Sequence, residues 1–494
     1  MKKIGFDNEK YVKIQSEHIR ERIDQFGGKL YMEFGGKLFD DFHASRVLPG
    51  FLPDSKIHML QEFRDDVEIV IAINANAIEQ NKMRGDLGIT YEDDVLRLID
   101  GFRSMGLYVG SVVLTRYSGQ ESADIFLKRL TSLGIRCYRH YPIEGYPSNV
   151  EHVVSEEGLG KNDYIETSRP LVVITAPGPG SGKMATCLSQ LYHENKRGIR
   201  AGYAKFETFP VWSLPLKHPV NLAYEAATAD LNDVNMIDPY HLEAYGKLAV
   251  NYNRDVEIFP VLESIFKLIQ GDSPYKSPTD MGVNMIGSCI VDDDVCREAS
   301  FKEILRRYYI ACVERVQGKS SDEVVRKLEL LMKQAGITPE IRPEISAALL
   351  KAETTGGPAG GMRLPDGTVV TGKTSDILGA AAALLLNALK TMGRIDDHFD
   401  LISTEVLKPI CDLKTRYLHH KNPRLHTDEV LLALTICALT NPMAQVAKEQ
   451  LSFLNDTEAH FSVIISEEDQ KLLKRLGISV TCEPRYEVNR LYHK

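Results

Sequence analysis

No run in this sequence is apolar for long enough to cross a bilayer. The longest, Ile377 to Leu389 (ILGAAAALLLNAL), falls short of the roughly 20 residues a spanning helix needs and carries Asn387. The N-terminus, MKKIGFDNEKYVKIQSEHIRERI, has lysines but no apolar core behind them, so it does not read as a secretory signal. A cytoplasmic protein without a membrane partner is the expectation. A basic excess is missing too. Lys and Arg total 59 against 68 Asp and Glu, a net charge of -9. Proteins that neutralise nucleic-acid backbones carry surplus positive charge, so a broad nucleic-acid surface is excluded. A local pocket for one small anion stays open. The eight cysteines form no C-x-x-C pair and do not cluster as a disulfide framework, so they read as reduced, mostly buried thiols. There is no H-E-x-x-H, and no P-C-x-x-C that would complete a zinc deaminase site.

What is present is alternation. At roughly 150 residues per domain, 494 residues predict two to four domains. Residues 10–26 have helical spacing, with Ile14, Ile19, Ile23 and Phe26, and Leu30 to Phe34 follows as a strand. VEIVIAIN (67–74) is a continuous β-branched run that suits a strand covered on both faces. Helical patterns at 91–104 and 122–133 separate it from strands at 107–115 and 135–141, and strands at 171–175 and 200–205 continue the series. Strands separated by helices of about a dozen residues imply βαβ units. The predicted fold is α/β, with a mostly parallel Rossmann-like sheet and helices on both faces over residues 1–225. Residues 226–340 read as an irregular and then helical section. The Pro- and Gly-rich stretch 338–368 punctuates a boundary to a smaller C-terminal α/β domain over 341–494.

The chemistry concentrates in Leu171 to Tyr192, LVVITAPGPGSGKMATCLSQLY. A phosphate loop needs inward-pointing backbone N–H groups, which glycines permit by adopting positive φ. It also needs a helix N-terminus, whose partial positive charge favours an anion, and a lysine that reaches the outer phosphates. Gly178, Gly180 and Gly182 supply the freedom, Ser181 a hydroxyl, Lys183 the charge, and the stretch from Met184 the helix. Set against G-x-x-x-x-G-K-[ST], Pro177 stands where the first glycine belongs and Met184 where a magnesium-binding hydroxyl is expected. This departure weakens magnesium–ATP hydrolysis more than phosphate binding. A tight strand-to-helix turn with glycines for packing alone is the competing reading. By contrast GTVVTGKT (367–374) fits the pattern letter for letter, yet its β-branched interior predicts a strand.

Other candidate residues lie around this loop. Lys205 and Glu207 close the next strand, where ligands of open α/β sheets sit. Lys205 could pair with a phosphate, and Glu207, with Asp230, could hold a metal. FGGKLFDDFHASR (34–46) gathers Gly35, Gly36, Lys37, Asp40 and Asp41, with His43 as a candidate acid–base and Arg46 as an anion clamp. A His-rich group, His419, His420, Arg424, His426, Asp428 and Glu429 with Glu458 and His460 later, lacks diagnostic metal spacing.

Two resemblances follow from these residues. The phosphate-loop segment, its helix and the strand ending in Glu207 are similar to ligases and kinases of the dethiobiotin-synthetase and CTP-synthase kind. Over the whole chain, GGKLYMEFGGKLFDDFHASRVLPGF, TAPGPGSGKMATCLSQLYHE, KFETFPVWSLPLKHPVNLAYEAATADLNDVNMIDPYH and PTDMGVNM resemble a bacterial family of uncharacterised proteins of about this length. That resemblance implies a multi-lobed α/β architecture with a helical middle, and no activity. The expected function is binding of a nucleotide or phosphorylated small molecule, with ATP and Mg as candidate cofactors, by a ligase- or kinase-type enzyme. A non-catalytic nucleotide sensor and a hydrolase or isomerase that anchors substrate phosphate are the alternatives. A homo-oligomer is the expected assembly.

Overall fold

The computed structural model describes residues 3–35, 38–39, 41–84 and 87–488. They form two compact units, 1–300 and 301–494.

The first unit is built on a seven-stranded sheet. Its spatial order is Gly282–Val283, Gly202–Phe206, Leu30–Phe34, Leu171–Thr175, Val67–Asn74, Tyr108–Thr115, Arg136–Arg139. Every neighbouring pair is parallel. The central strands are the apolar runs of the sequence. All of Leu171–Thr175 and Gly202–Phe206 is buried, as is all of Val67–Asn74 except its last residue. Parallel sheets bury both faces, so a strand without alternation is what they require. Each fully buried Val or Ile there contributes about 1.5–3 kcal/mol. The flanking helices present one apolar stripe each. Tyr91–Ser104 buries Tyr91, Val95, Leu98, Ile99 and Phe102, and Thr90 caps it by accepting from the Asp93 N–H.

The chain order sets where a ligand can sit. From Leu30–Phe34 it moves through Val67–Asn74 and Tyr108–Thr115 to Arg136–Arg139 at one edge. It then returns to insert Leu171–Thr175 beside the first strand, and leaves toward the opposite edge through Gly202–Phe206. The direction of winding therefore reverses between Leu171–Thr175 and Val67–Asn74. At such a reversal the connecting chains leave to opposite sides and a crevice opens at the carboxyl ends of the strands.

The section read as irregular from 226 is ordered, as is the stretch before it from 207. Helices Pro219–Ala227, Pro239–Tyr245 and Asn253–Gln270 occupy them, with an antiparallel pair Asn235–Ile237 and Val250–Tyr252. Their prolines misled the reading, because Pro219, Pro239 and Pro278 each open a helix. That position has no N–H to lose and favours proline's fixed φ.

The second unit carries a four-stranded mixed sheet, ordered Val369–Lys373, Ala359–Arg363, Glu458–Phe461, Ser479–Cys482. Only the last pair is parallel. Its core gathers Met362, Leu384, Leu385, Leu389, Leu434 and Phe461 among others. The strand Ala359–Arg363 lies inside the stretch read as boundary punctuation. Its glycines serve packing: a Cβ on Gly361 would come within 2.4 Å of the Glu344 carbonyl oxygen. The segment that fits the Walker pattern is the strand Val369–Lys373, as its β-branched residues predict. The helix after it is Ala380–Met392.

Candidate functional site

The loop after Leu171–Thr175 runs into the helix Lys183–Lys196, with Gly182 at its N-cap. Gly180 and Gly182 take φ of 74° and 84°, the left-handed region where glycine alone is unstrained. The loop is pinned from inside. Ser181 Oγ donates to the Gly178 carbonyl at 2.9 Å, and Thr115 Oγ1 donates to the Ser181 carbonyl at 2.8 Å. Asn74 Nδ2 donates to the Gly180 carbonyl at 3.2 Å. Gly178 lets the chain pass Tyr91, whose hydroxyl would stand 2.3 Å from a Cβ there. The Gly180 and Ser181 carbonyls are thus satisfied from neighbouring strands and that of Gly178 from within the loop. No side chain caps the helix N-terminus, so its first N–H groups are left for another acceptor.

That terminus opens on a cavity of about 560 Å³ at the carboxyl edge of the sheet. Gly180, Ser181, Gly182, Lys183, Met184 and Ala185 form one wall. Glu33, Thr115, Arg116, His140 and Tyr146 are among the residues opposite. Four of these sit at strand ends: Glu33 next to last in Leu30–Phe34, Thr115 last in Tyr108–Thr115 with Arg116 directly after it, and His140 directly after Arg136–Arg139. Lys183 Nζ lies 3.8 Å from Glu33 Oε1, and Tyr203 donates to Glu33 Oε2 at 3.0 Å. Arg116 is exposed, takes φ of 52°, and its guanidinium makes no hydrogen bond or ion pair among the described residues. His140 is 3% exposed, and one ring nitrogen lies 3.1 Å from the Asp163 carbonyl oxygen. Burial lowers its pKa to about 4, so the ring is neutral near pH 7. The Tyr146 hydroxyl is pushed up to about 12, first by burial and then by Glu33, with Arg116 opposing.

The residues expected from sequence divide between places. The loop residues Gly180, Ser181, Gly182, Lys183 and Met184 line the cavity, while Lys205 and Glu207 do not. They form a separate enclosed cluster on the next strand but one. Lys205 Nζ pairs with Glu207 Oε1 at 2.7 Å and also contacts Asp255 and the Tyr252 hydroxyl. Burial works against the charged lysine, but Asp255 and Glu207 outweigh it and hold its pKa above the usual range. Glu207 is raised to about 7, by burial first and by Asp255, with Lys205 opposing. Glu33 sits opposite Lys205 in register, so one strand links this cluster to the cavity. Asp230 is exposed in the short turn Ala229–Leu231.

His43, in the helix Phe42–Val47, packs edge-on to Phe209 at 5.1 Å, and the Arg46 guanidinium lies 6.0 Å from the Phe42 ring. Asp41 caps that helix and pairs with the buried Lys56 at 2.8 Å, a partner the sequence reading missed. Gly36, Lys37 and Asp40 lie outside the described residues. The His-rich group is dispersed. His419 and His420 are exposed, His426 pairs with Asp469 at 3.0 Å, and His460 is buried against Thr481 at 2.9 Å. Among the described residues no group of three or more His, Cys, Asp or Glu is arranged to hold a metal ion. No helix among them is long and apolar enough to cross a membrane. Arg116, His140, Glu33 and Tyr146 escaped the sequence reading. The usable signal was position: two of them are the first residue after a parallel strand.

Sheet and cavity define an open α/β protein whose strands are parallel throughout its main sheet. The chain belongs to the family described as "Domain of unknown function DUF1846": residues 4–336 match its N-terminal part and 340–492 its C-terminal part. It is 59% identical to the UPF0371 protein of Streptococcus sanguinis, 58% to that of Streptococcus thermophilus and 57% to that of Streptococcus pyogenes serotype M5. Each match spans 494 residues and the whole of both chains.

Proposed function

We propose that this protein binds a phosphorylated small molecule, nucleotides included, with a phosphate seated on the N-terminus of Lys183–Lys196. One observation carries the reading: an uncapped helix N-terminus and its lysine open into a cavity at the carboxyl edge of a parallel sheet, where the winding reverses. The N–H groups of the first turn and the Lys183 ammonium are the donors such an anion requires. A phosphate would also compete with Glu33 for Lys183, at present 3.8 Å away. Ligase or kinase chemistry at the same site is a further step. Its support is the raised carboxyl of Glu207, poised to exchange a proton near neutrality. Against it, Glu207 does not line the cavity and follows a strand two places from the one that carries the loop.

The test is a thermal-shift series on the full chain with nucleotides and phosphorylated metabolites. A ligand that binds the folded state raises the melting temperature by mass action. The native protein should show such a shift, and Lys183→Ala should lose it while melting at its own unliganded temperature. If no phosphorylated compound in a broad panel shifts the native protein, the reading is wrong.

A further inference from the structure

The cavity also constrains how much phosphate it can take. Its charged lining is Lys183, Arg116 and Glu33, two cations and one carboxylate. The helix terminus adds roughly half a positive charge. A phosphomonoester carries about -1.5 to -2 at neutral pH, which this set matches. A chain of three phosphates brings far more negative charge unless magnesium offsets it, and even then its outer phosphates would run past the one helix terminus and its two cations and lie against Glu33. A carboxylate is instead an acceptor for hydroxyl groups, the role an acidic residue plays toward ribose at comparable sheet edges. The Tyr146 hydroxyl and one ring nitrogen of His140 have no hydrogen-bond partner among the described residues and belong to residues of the same wall. Tyr141, Pro142 and Ile143 add a face suited to a ring.

Resting on the phosphate-site reading above, we infer that the ligand is a phosphomonoester of a hydroxylated ring, a sugar phosphate or a nucleoside monophosphate, rather than a nucleoside triphosphate. The phosphate lies between the helix terminus, Lys183 and Arg116. The hydroxyls of the ring face Glu33 and Tyr146. A sugar phosphate and a nucleoside monophosphate share this chemistry and differ only in the base.

Calorimetric titration of the full chain separates the cases. The titrants are ribose 5-phosphate, adenosine 5′-monophosphate, adenosine, and ATP with magnesium. The two monoesters should bind, adenosine should not, and magnesium–ATP should bind at least about tenfold more weakly. Arg116→Ala should weaken the monoesters by about tenfold or more, and because Arg116 is exposed the variant should keep the native circular dichroism. With inorganic phosphate as a further titrant, Glu33→Gln should weaken ribose 5-phosphate relative to inorganic phosphate, which gains from the release of Lys183. The ratio of the two monoester affinities tells whether a base contributes. Magnesium–ATP binding as tightly as the monoesters overturns this inference and leaves the phosphate site standing. Silence from every phosphorylated titrant overturns both.

Discussion

Glu207 shows what a single buried carboxyl does to the pH response of the molecule. Its pKa rises from 4.5 in the open chain to about 7 in the fold. The folded state therefore holds a proton that the unfolded chain has released. Stability from this group is present in full below pH 4.5 and is lost as pH rises toward 7. Glu207→Gln removes that loss. Between about pH 5 and about pH 8 the melting temperature of the variant should rise relative to the native protein. The same offset at both pH values would show that Lys205 keeps Glu207 ionised throughout. The identity of such a residue is readable from sequence, as Glu207 and Lys205 were at the end of a strand. Their mutual pairing is not, because Asp255 and Tyr252 arrive from a helix and a strand whose placement depends on the tertiary fold.

At the scale of elements, two glycine–lysine segments make opposite uses of similar letters. GPGSGK curls, because Gly180 and Gly182 accept positive φ and the next residues start a helix. GTVVTGKT extends, because Val369, Val370 and Thr371 lose little by being held in a strand. There Gly372 is a packing residue: a Cβ would lie 2.2 Å from the backbone nitrogen of Leu384. Gly372→Ala should force the helix Ala380–Met392 off the strand and cost about 1–3 kcal/mol in urea unfolding. Lys373 is exposed, so Lys373→Ala should change stability by less than about 0.5 kcal/mol and leave phosphate binding intact. A loss of binding in Lys373→Ala equal to that in Lys183→Ala would reverse the assignment of the two segments. The strand–loop–helix setting was legible because strand and helix periodicities differ. The strand Ala359–Arg363 was not, since Gly361 is required by the Glu344 backbone packed over it and Gly360 by the Phe461 and Leu384 side chains, and in isolation the two resemble a linker.

For the whole molecule, the two units carry separate sheets and separate cores. A phosphorylated ligand should protect backbone amides around residues 115–116, 140–146 and 180–186 from hydrogen exchange. Residues 301–494 should exchange at an unchanged rate; protection concentrated there would place the site in the second unit. The deficit of positive charge, -9 overall, leaves anion binding to a local group of donors, and Lys183 with Arg116 is such a group. The sequence by itself determined the parallel α/β class, the position of the glycine-rich loop and its helix, and the extended state of the second glycine–lysine segment. Those follow from hydrophobic period, β-branching and glycine's freedom at positive φ, which are local properties. Only the tertiary structure decided which side chains share the cavity. Glu33, Arg116 and His140 come from three strand ends and Lys183 from the helix start after a fourth strand, all far apart in the chain, and they meet because the order of strands brings those ends to one edge.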